Sequence, residues 1–282
     1  MTPGTSFTSA AGLASPYEEL FIYYLEGCLR PENEVFGDAF IGNWEEDGFS
    51  FLFFSRPADD AVARLLRRQP GLTLIDSYQM AYADWQGRLD IGLETEHLQV
   101  HPPWQAPPAG GRRGIALDPG VVFGTGTHPT TRDCLHALER LYSRQAPADV
   151  LDLGTGTGLL ALAAARLGAR RTLAVDLNPL CTRTAAANVR RNNLQKRVLV
   201  TRGRAEAFVE LPADLVVANI HFDVMRRLLC SPGFYRKRWF VLSGLLRSEA
   251  RWVLAQLAAK PVEIIEEWHH EGVWSTFCGR VL

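Results

Sequence analysis

The residues best suited to bind a small-molecule cofactor form a glycine-rich run, DLGTGTG, over Asp152–Gly158. An apolar segment precedes this run and a helical pattern of leucine and alanine follows it, so the glycines occupy a strand-to-helix turn. Glycine lets the backbone approach a ligand closely, and the free N–H groups of a helix N-terminus stabilise an anionic group. The run therefore predicts a cofactor site that receives a negatively charged group, such as a carboxylate.

The spacing of the glycines separates two cofactor classes. The dinucleotide fingerprint has its third glycine or alanine three places after the second. Here that place is Leu159, and the third glycine stands one residue earlier, at Gly158. Asp152, ahead of the first glycine, also matches the DxGxGxG pattern of methyltransferases. The spacing favours S-adenosylmethionine, and an oxidoreductase that uses a nicotinamide cofactor is the alternative.

Two polar residues end later apolar strands. Asp176 lies 22 residues after Gly154, where a carboxylate can accept hydrogen bonds from both ribose hydroxyls. Asn219 ends the apolar run Leu215–Ala218, which places it at the carboxyl edge of a parallel sheet, beside the cofactor crevice. We therefore predict cofactor contacts at Asp176 and Asn219, together with Asp152 and the glycines Gly154, Gly156 and Gly158.

A second segment rich in glycine and threonine precedes the glycine loop. It runs over Leu117–Thr131 (LDPGVVFGTGTHPTT) and ends before a helix predicted from Arg132 to Tyr142. Thr130 or Thr131 is placed either to cap that helix or to bind a ligand. A simple helix cap does not explain why three glycines and four threonines crowd into this segment.

The elements that position these residues alternate between strand-like apolar runs and helical segments. The strand-like runs are Val150–Leu153, Thr172–Val175, Val198–Val200, Leu215–Ala218 and Trp239–Leu242. Two more strand-like runs, Val262–Glu266 and Val273–Phe277, predict a terminal hairpin of antiparallel edge strands. We therefore expect an α/β fold with a doubly wound, seven-stranded sheet covered by helices on both faces.

The first part of the chain has another pattern, typical of a smaller α+β domain. Its predicted elements are Glu19–Leu25 (strand or short helix), the hairpin strands Ala39–Trp44 and Phe49–Phe54, the helix Ala58–Gln69 and the strand Leu72–Ile75. Residues 17–100 carry sixteen acidic side chains against six arginines, a net charge of −10 in a chain whose total is −1. This charge suits a basic protein partner and disfavours direct binding of nucleic acid, and an ordinary solvated acidic face is the alternative.

The composition divides the chain into segments and argues against several classes of protein. We expect a disordered N-terminus over residues 1–16, a proline- and glycine-rich linker over 101–114, and a cofactor-binding catalytic domain over 115–282. The five cysteines show no paired spacing, so neither a disulfide framework nor a metal site is expected. No apolar run approaches the roughly 18–20 residues of a membrane span, and no signal pattern begins the chain. We predict a cytoplasmic protein without membrane association.

These segments together resemble the bacterial ribosomal protein L11 methyltransferases, with the resemblance firm over residues 115–280. It rests on Leu117–Thr131, the glycine loop, Asp176, Ala218–Ile220, Leu242–Leu245 and Glu266–Trp268. It implies a Rossmann-like methyltransferase fold and an enzyme that methylates lysine ε-amino and N-terminal α-amino groups of the basic ribosomal protein L11. The family's cofactor contacts correspond here to Thr131, Gly154, Asp176 and Asn219. The N-terminal half, which selects the substrate in this family, matches less well.

The chemistry predicted for the site needs alignment more than a nucleophilic residue or a metal ion. Methyl transfer from a sulfonium is an in-line displacement, so the enzyme must orient an uncharged amine. We assign that role to Asn219, with His128 and His221 as candidate proton acceptors. Two alternatives remain open: a lysine methyltransferase of the same family with another protein substrate, and a non-catalytic adaptor that binds S-adenosylmethionine.

Overall fold

The computed structural model describes residues 15–30, 36–86, 92–105 and 111–282. Residues 1–14, most of the predicted disordered N-terminus, lie outside the described residues, and so do residues 106–110 of the predicted linker. The described part of the chain forms sheets of four, seven and three strands.

The N-terminal sheet is antiparallel, with its four strands in the order β2-β3-β1-β4. The strands are β1 (Glu19–Glu26), β2 (Phe40–Glu46), β3 (Phe49–Phe54) and β4 (Thr73–Ala81), and the helix α1 (Asp59–Arg68) lies between β3 and β4 in sequence. The segment that begins at Glu19 is thus a strand. Asp47 and Gly48, which join β2 to β3, both have positive φ, as a type I′ hairpin turn requires. The predicted hairpin and helix are confirmed.

Both faces of this sheet are covered, because successive side chains of a strand point to opposite sides. The face that carries Tyr23 and Leu25 packs against α1. The opposite face, which carries Leu20 and Ile22, packs against Leu180 in the C-terminal part of the chain. Since burying each such side chain contributes roughly 1.5–3 kcal/mol, the second contact fixes the sheet against the rest of the molecule.

A small sheet connects the two parts of the chain. After α2 (Tyr82–Gln86), its strands are β5 (Leu93–Glu94), β6 (Leu98–His101) and β7 (Arg113–Ala116). β6 pairs with β7 in parallel, and Leu98 and Val100 lie in the same core as the C-terminal helices. The two ends of the predicted linker, His101 and Gly114, are therefore strand residues, paired with Ala116 and Gln99 respectively. Composition did not reveal this, because parallel pairing across a proline-rich segment leaves no local periodicity.

The C-terminal sheet has seven strands in the order β10-β9-β8-β11-β12-β14-β13. The strands are β8 (Asp149–Leu153), β9 (Arg171–Asp176), β10 (Val198–Arg202), β11 (Leu215–Asn219), β12 (Trp239–Leu246), β13 (Val262–His270) and β14 (Trp274–Val281). Neighbours among the first five are parallel, whereas β14 pairs antiparallel with both β12 and β13. The doubly wound sheet and its terminal hairpin are confirmed.

Helices cover both faces of this sheet. They are α3 (Pro129–Arg144), α4 (Leu159–Leu167), α5 (Pro179–Arg191), α6 (Ala205–Phe208), α7 (Phe222–Cys230) and α8 (Arg247–Ala258). The first three share one apolar core with Val150, and the last three share the other with Leu151 and Leu153. The strand β8 is thus buried on both sides, and its carboxyl end is the point from which the glycine loop leaves the core.

The residues that the structure describes offer neither a bilayer-spanning helix nor a metal-binding cluster. None of the helices in this part of the chain combines the length and apolarity that crossing a bilayer requires. Within the same residues, His, Cys, Asp and Glu side chains nowhere assemble in groups of three or more that could hold a metal ion. All five cysteines are free thiols, and Cys134, Cys181 and Cys278 are buried.

Candidate active site

The glycine loop follows β8 at the edge where the parallel strands end. Gly154, Gly156 and Gly158 have φ values of 80°, 54° and 87°, a region that residues with a Cβ rarely adopt. The Gly154 N–H donates to the carbonyl of Val175 on the neighbouring strand β9, at 2.8 Å. The loop is thereby tied to the sheet and leads directly into α4, as the sequence predicts.

The threonine-rich segment lies directly on the glycine loop. A Cβ at Gly156 would collide with the carbonyl oxygen of Phe123. That oxygen also accepts from the Thr157 N–H at 3.1 Å, while the Thr157 hydroxyl donates to the carbonyl of Gly124 at 2.6 Å. The Phe123 side chain is 70% exposed and meets Trp44 of β2 edge-on, with ring centroids 5.3 Å apart. The segment therefore faces both the cofactor loop and the N-terminal sheet.

Asp152 lies beneath the loop, with only 1% of its surface exposed. One carboxylate oxygen accepts from the Thr155 hydroxyl at 2.5 Å and from the Ala161 N–H at 3.1 Å, and the other meets no hydrogen-bond donor among the described residues. Burial raises the pKa of Asp152 to about 7. The side chain is committed to the loop and to α4, so we infer that it positions the loop instead of touching the cofactor as the sequence suggested.

Asp176 ends β9 beside the loop. Its carboxylate accepts from the N–H groups of Gly156 at 3.0 Å and Asn178 at 2.9 Å. Burial raises the pKa of Asp176, and these backbone hydrogen bonds act in the opposite direction. The Cys181 thiol also faces the carboxylate. Because a carboxylate offers about four lone-pair positions, acceptor capacity remains for a ligand hydroxyl.

The helix α3 begins earlier than the sequence predicts. Its first residue is Pro129, and its N-cap is His128, whose Nδ1 accepts from the Thr130 N–H. Thr130 and Thr131 therefore lie in the first helical turn, which excludes helix capping, one of the two roles left open for them, and leaves ligand binding. The reason is the proline, whose fixed φ and missing N–H suit the first helical position.

Because they lie in the first turn of α3, both threonines contact Asn219 at the end of β11. The Asn219 amide nitrogen donates to the hydroxyl of Thr130 at 3.3 Å and lies 3.5 Å from that of Thr131. The amide oxygen faces Gly244, where an added Cβ would stand 2.8 Å away. The structure thus assembles Asn219 and Thr131, two predicted cofactor-binding residues, with Thr130 at one point of the carboxyl edge.

His128 stands behind this group. Its Nδ1 lies 2.7 Å from the Thr130 hydroxyl and 3.3 Å from the Thr130 N–H. Because an N–H donates to Nδ1, that nitrogen is unprotonated and the ring proton is on Nε2. Burial lowers the pKa of His128, an effect that Asp133 opposes. Its ring also packs edge-on against Trp274, with centroids 5.0 Å apart.

The other candidate proton acceptor, His221, is placed differently. Its side chain is 82% exposed, and its Nε2 lies 2.9 Å from a carboxylate oxygen of Glu46 at the end of β2. His221 is thus turned toward the N-terminal sheet, whereas His128 is turned toward the threonines that contact Asn219. An exposed pair of this kind contributes about 0–1 kcal/mol.

Sequence reasoning missed a buried polar group next to these threonines. Its members lie on α3, β12 and the terminal hairpin: Asp133, Ser243, Thr276 and the partly exposed His270. One signal was present in the sequence, because Asp133 is an acidic residue on the otherwise apolar face of α3 that carries Cys134 and Leu138.

A cavity of about 490 Å³ lies away from this site, near the ends of α3 and α4 where the strands begin. Its charged lining residues are engaged elsewhere. Arg113 donates to the last carbonyls of α4, at Arg166 and Leu167, and Arg112 pairs with Glu94 at 3.1 Å. These contacts cap a helix and join strands, so the cavity is not part of the candidate active site.

The carboxyl edge fits S-adenosylmethionine. This cofactor carries a carboxylate, which suits the N–H groups where the loop enters α4, and ribose hydroxyls, which suit the Asp176 carboxylate. The glycines fit as well, since a Cβ at Gly154 or Gly156 would collide with Ile220 or Phe123. Fold and site together define a Rossmann-like, S-adenosylmethionine-dependent methyltransferase.

Comparison with known proteins gives the family. The family model described as ribosomal protein L11 methyltransferase (PrmA) matches residues 83–281. The L11 methyltransferase of Pelotomaculum thermopropionicum is 36% identical over 239 residues, which are 80% of this chain and 75% of that protein. The L11 methyltransferase of Geobacillus kaustophilus is 37% identical over 188 residues, 62% of this chain and 58% of that protein. This chain belongs to the ribosomal protein L11 methyltransferase family.

A solved structure agrees with this assignment. The crystal structure of a ribosomal protein L11 methylase from Lactobacillus delbrueckii subsp. bulgaricus is similar, with a TM-score of 0.58 and 26% sequence identity. The match covers 67% of this chain and 98% of that one. The resemblance noted in the sequence is thereby confirmed.

Proposed function

We propose that this chain transfers methyl groups from S-adenosylmethionine to amino groups of ribosomal protein L11, at lysine ε-amino or N-terminal α-amino positions. The observation that carries this proposal is the group formed by Asn219, Thr130 and Thr131 beside the glycine loop, in a member of this family. An amide flanked by hydroxyls can orient an amine without taking a charge.

The roles of the residues follow from their places. When bound, the cofactor supplies an electrophilic methyl group on a positively charged sulfur. The glycine loop and Asp176, at the ends of β8 and β9, would hold it, together with Thr131 and Asn219. Asp152 keeps the loop in place from below. The chain contributes alignment, which is the main requirement of an in-line displacement.

The acceptor amine must lose its proton before it can react. A lysine amine has a pKa near 10.4 and an α-amino group one near 7.7–8.0, and desolvation lowers both. Among the described residues, the side-chain hydrogen bonds of Asn219 go only to threonine hydroxyls. The Nδ1 of His128 is bonded to Thr130. We therefore expect His128 to position Thr130, and we expect the rate to rise with pH as the substrate amine deprotonates.

The direct test offers the enzyme labelled S-adenosylmethionine and ribosomal protein L11 from cells that lack this methylation. Asp176→Ala should weaken cofactor binding by about tenfold or more, because hydrogen bonds to a charged group contribute about 1.5–3 kcal/mol each. Asp149→Ala is the matched control, since Asp149 lies at the opposite edge of the sheet, paired with Arg171. Equal cofactor affinity in the two variants would contradict the cofactor site.

The same assay separates the alternatives. Label on another protein and none on L11 would favour a methyltransferase with a different protein substrate. Tight cofactor binding without turnover on any ribosomal protein would favour the non-catalytic adaptor. Intact-mass spectrometry of the labelled product would count the methyl groups and separate lysine from N-terminal modification.

We also propose that the acidic N-terminal part recognises the basic substrate. The tip of the β2–β3 hairpin lies at the entrance to the site, because Glu46 pairs with His221. Reversing the exposed charges Glu45 and Asp47 to lysine should raise KM for L11 severalfold, more at low salt, and leave kcat unchanged.

The matched control for this experiment reverses Asp59 and Asp60 in the first turn of α1, on the face of the sheet turned away from the site. An equal rise of KM in both double variants would mean that net charge, and not the hairpin tip, sets the affinity. The full chain is required, since Leu98 and Val100 lie in the C-terminal core and a deletion to residue 100 would remove them.

A further inference from the structure

A buried carboxylate that the proposed reaction does not use lies behind the two threonines. Asp133, on the second turn of α3, is only 2% exposed. A buried charge is costly unless partners satisfy it, and both partners of Asp133 come from the far end of the chain. His270 Nε2 lies 2.7 Å from one carboxylate oxygen, and the Thr276 hydroxyl donates to the other at 3.1 Å.

A chain of hydroxyls leads from this carboxylate toward Asn219. The Thr276 hydroxyl lies 2.6 Å from that of Ser243, which stands 3.3 Å from the carbonyl oxygen of Thr130. Ser243 is also the residue directly opposite Asn219 in the pairing of β11 with β12. All three hydroxyl-bearing residues are at most 3% exposed, so water does not screen the chain.

The carboxylate sets the direction of the first hydrogen bond in this chain. A carboxylate only accepts, so Thr276 gives its one proton to Asp133. The Ser243 hydroxyl lies within donating distance of both the Thr276 hydroxyl, at 2.6 Å, and the Thr130 carbonyl, at 3.3 Å. A neutral amide in place of Asp133 can donate to Thr276, which would free the Thr276 proton for Ser243 and direct the Ser243 proton at Thr130.

A second contact holds the same helix turn. Trp274, across the hairpin from His270, packs against His128, and His128 in turn bonds Thr130. The end of the terminal hairpin thus contacts the start of α3 at two points, Asp133 and His128.

We propose that Asp133 and His270 are positioning residues for methyl transfer. Bonded to each other and to Thr276, they fasten the helix turn that carries Thr130 to the terminal hairpin, and so fix the orientation of the Asn219 amide. The inference rests on the proposed function for its kinetic consequence, but the orientation of Asn219 is measurable without any turnover. His270 is the part of this group that solvent reaches, with 41% of its side chain exposed.

The test begins with Asp133→Asn, which keeps the shape of the side chain and removes its charge. We expect kcat on L11 to fall about tenfold, as loss of a hydrogen bond to a charged group predicts, while the cofactor dissociation constant changes less than twofold. In ¹⁵N-labelled enzyme, the side-chain amide signals of Asn219 should shift or broaden.

The matched control is Glu267→Gln. Glu267 pairs with His269 on the same strand at 3.2 Å, but that pair is exposed and, among the described residues, forms no hydrogen bond or ion pair with Asp133 or Thr276. This variant should match the wild type in kcat and in the Asn219 amide signals.

Variants of His270 test the same group from its partly exposed side, where the side chain can be replaced without introducing a new group into the core. His270→Ala should lower kcat in the same direction, and His270→Gln should restore part of it, since a glutamine amide can donate to Asp133. Combined with Asp133→Asn, His270→Ala should add little further loss, as expected of residues that act as one unit.

Two results would overturn the proposal. Unchanged Asn219 amide signals in the variants of Asp133 and His270 would show that the group does not orient the amide. A fall in cofactor affinity and thermal stability in proportion to kcat, with no rescue by His270→Gln, would show a merely structural role. If the wild type fails to methylate L11, the proposed substrate is wrong, yet the amide signals still decide this proposal.

Discussion

The clearest quantitative expectation concerns the buried Asp152 under the glycine loop. Within the part of the chain that the structure describes, one of its carboxylate oxygens accepts from Thr155 and Ala161, and the other meets no donor. The variant Asp152→Asn keeps the accepting oxygen and removes the capacity to ionise. The free-energy cost of placing an uncharged amide at this site does not depend on pH. The pH dependence of the difference in unfolding free energy therefore reports the ionisation of Asp152 alone.

The magnitude follows from the pKa of Asp152, which burial raises from 3.8 to about 7. At about 1.36 kcal/mol per pKa unit, this shift corresponds to at most about 4 kcal/mol. Between about pH 4 and pH 7 the folded protein retains a proton that the unfolded chain has released. The wild type should therefore lose stability as pH rises through this window, and Asp152→Asn should lack that loss.

Urea unfolding of both proteins without cofactor, followed by circular dichroism from pH 4 to pH 8, measures the difference. The control is Asp149→Asn: the Arg171 guanidinium lowers the pKa of Asp149, so its smaller contribution is present above the unfolded pKa and is lost as pH falls. Parallel stability curves for the wild type and Asp152→Asn would refute the argument from burial.

Three glycines give further expectations. Gly156→Ala places a Cβ against the Phe123 carbonyl at positive φ, so cofactor affinity measured by calorimetry should fall at least about tenfold. Gly48→Ala has the same backbone strain with nothing near, and should cost about 1 kcal/mol of stability without changing that affinity. Gly244→Ala places a Cβ 2.8 Å from the Asn219 amide oxygen, so kcat should fall more than tenfold while the fold persists; unchanged turnover would contradict the role of Asn219.

Much of this site was predictable from local sequence. The glycine loop, Asp176 and Asn219 each follow an apolar strand, and parallel strands deliver their ends to one edge of the sheet. The terminal hairpin was equally visible, since two strand-like runs flank a turn at Glu271 and Gly272. In each case neighbouring residues encode the feature.

The rest depended on contacts between distant residues. His270 meets Asp133 only because the terminal hairpin packs on the start of α3, 137 residues earlier in the chain. Which way Asp152 points was equally hidden, because a DxGxGxG pattern does not say whether the carboxylate faces the cofactor or the core. The start of α3 was predicted at Arg132 but lies at Pro129, because proline has a strong preference for the first helical position.

The small sheet of β5, β6 and β7 has a consequence for exchanging parts between relatives. A chimaera that joins another recognition domain to this catalytic core at the proline-rich segment would split the parallel pair of β6 and β7 between two parents. The junction belongs before Leu93 instead. Even there, the grafted sheet must offer an apolar face that matches Leu180. Under the substrate-recognition role proposed for the N-terminal part, new specificity is therefore easier to obtain by altering the β2–β3 hairpin than by transplanting a whole domain.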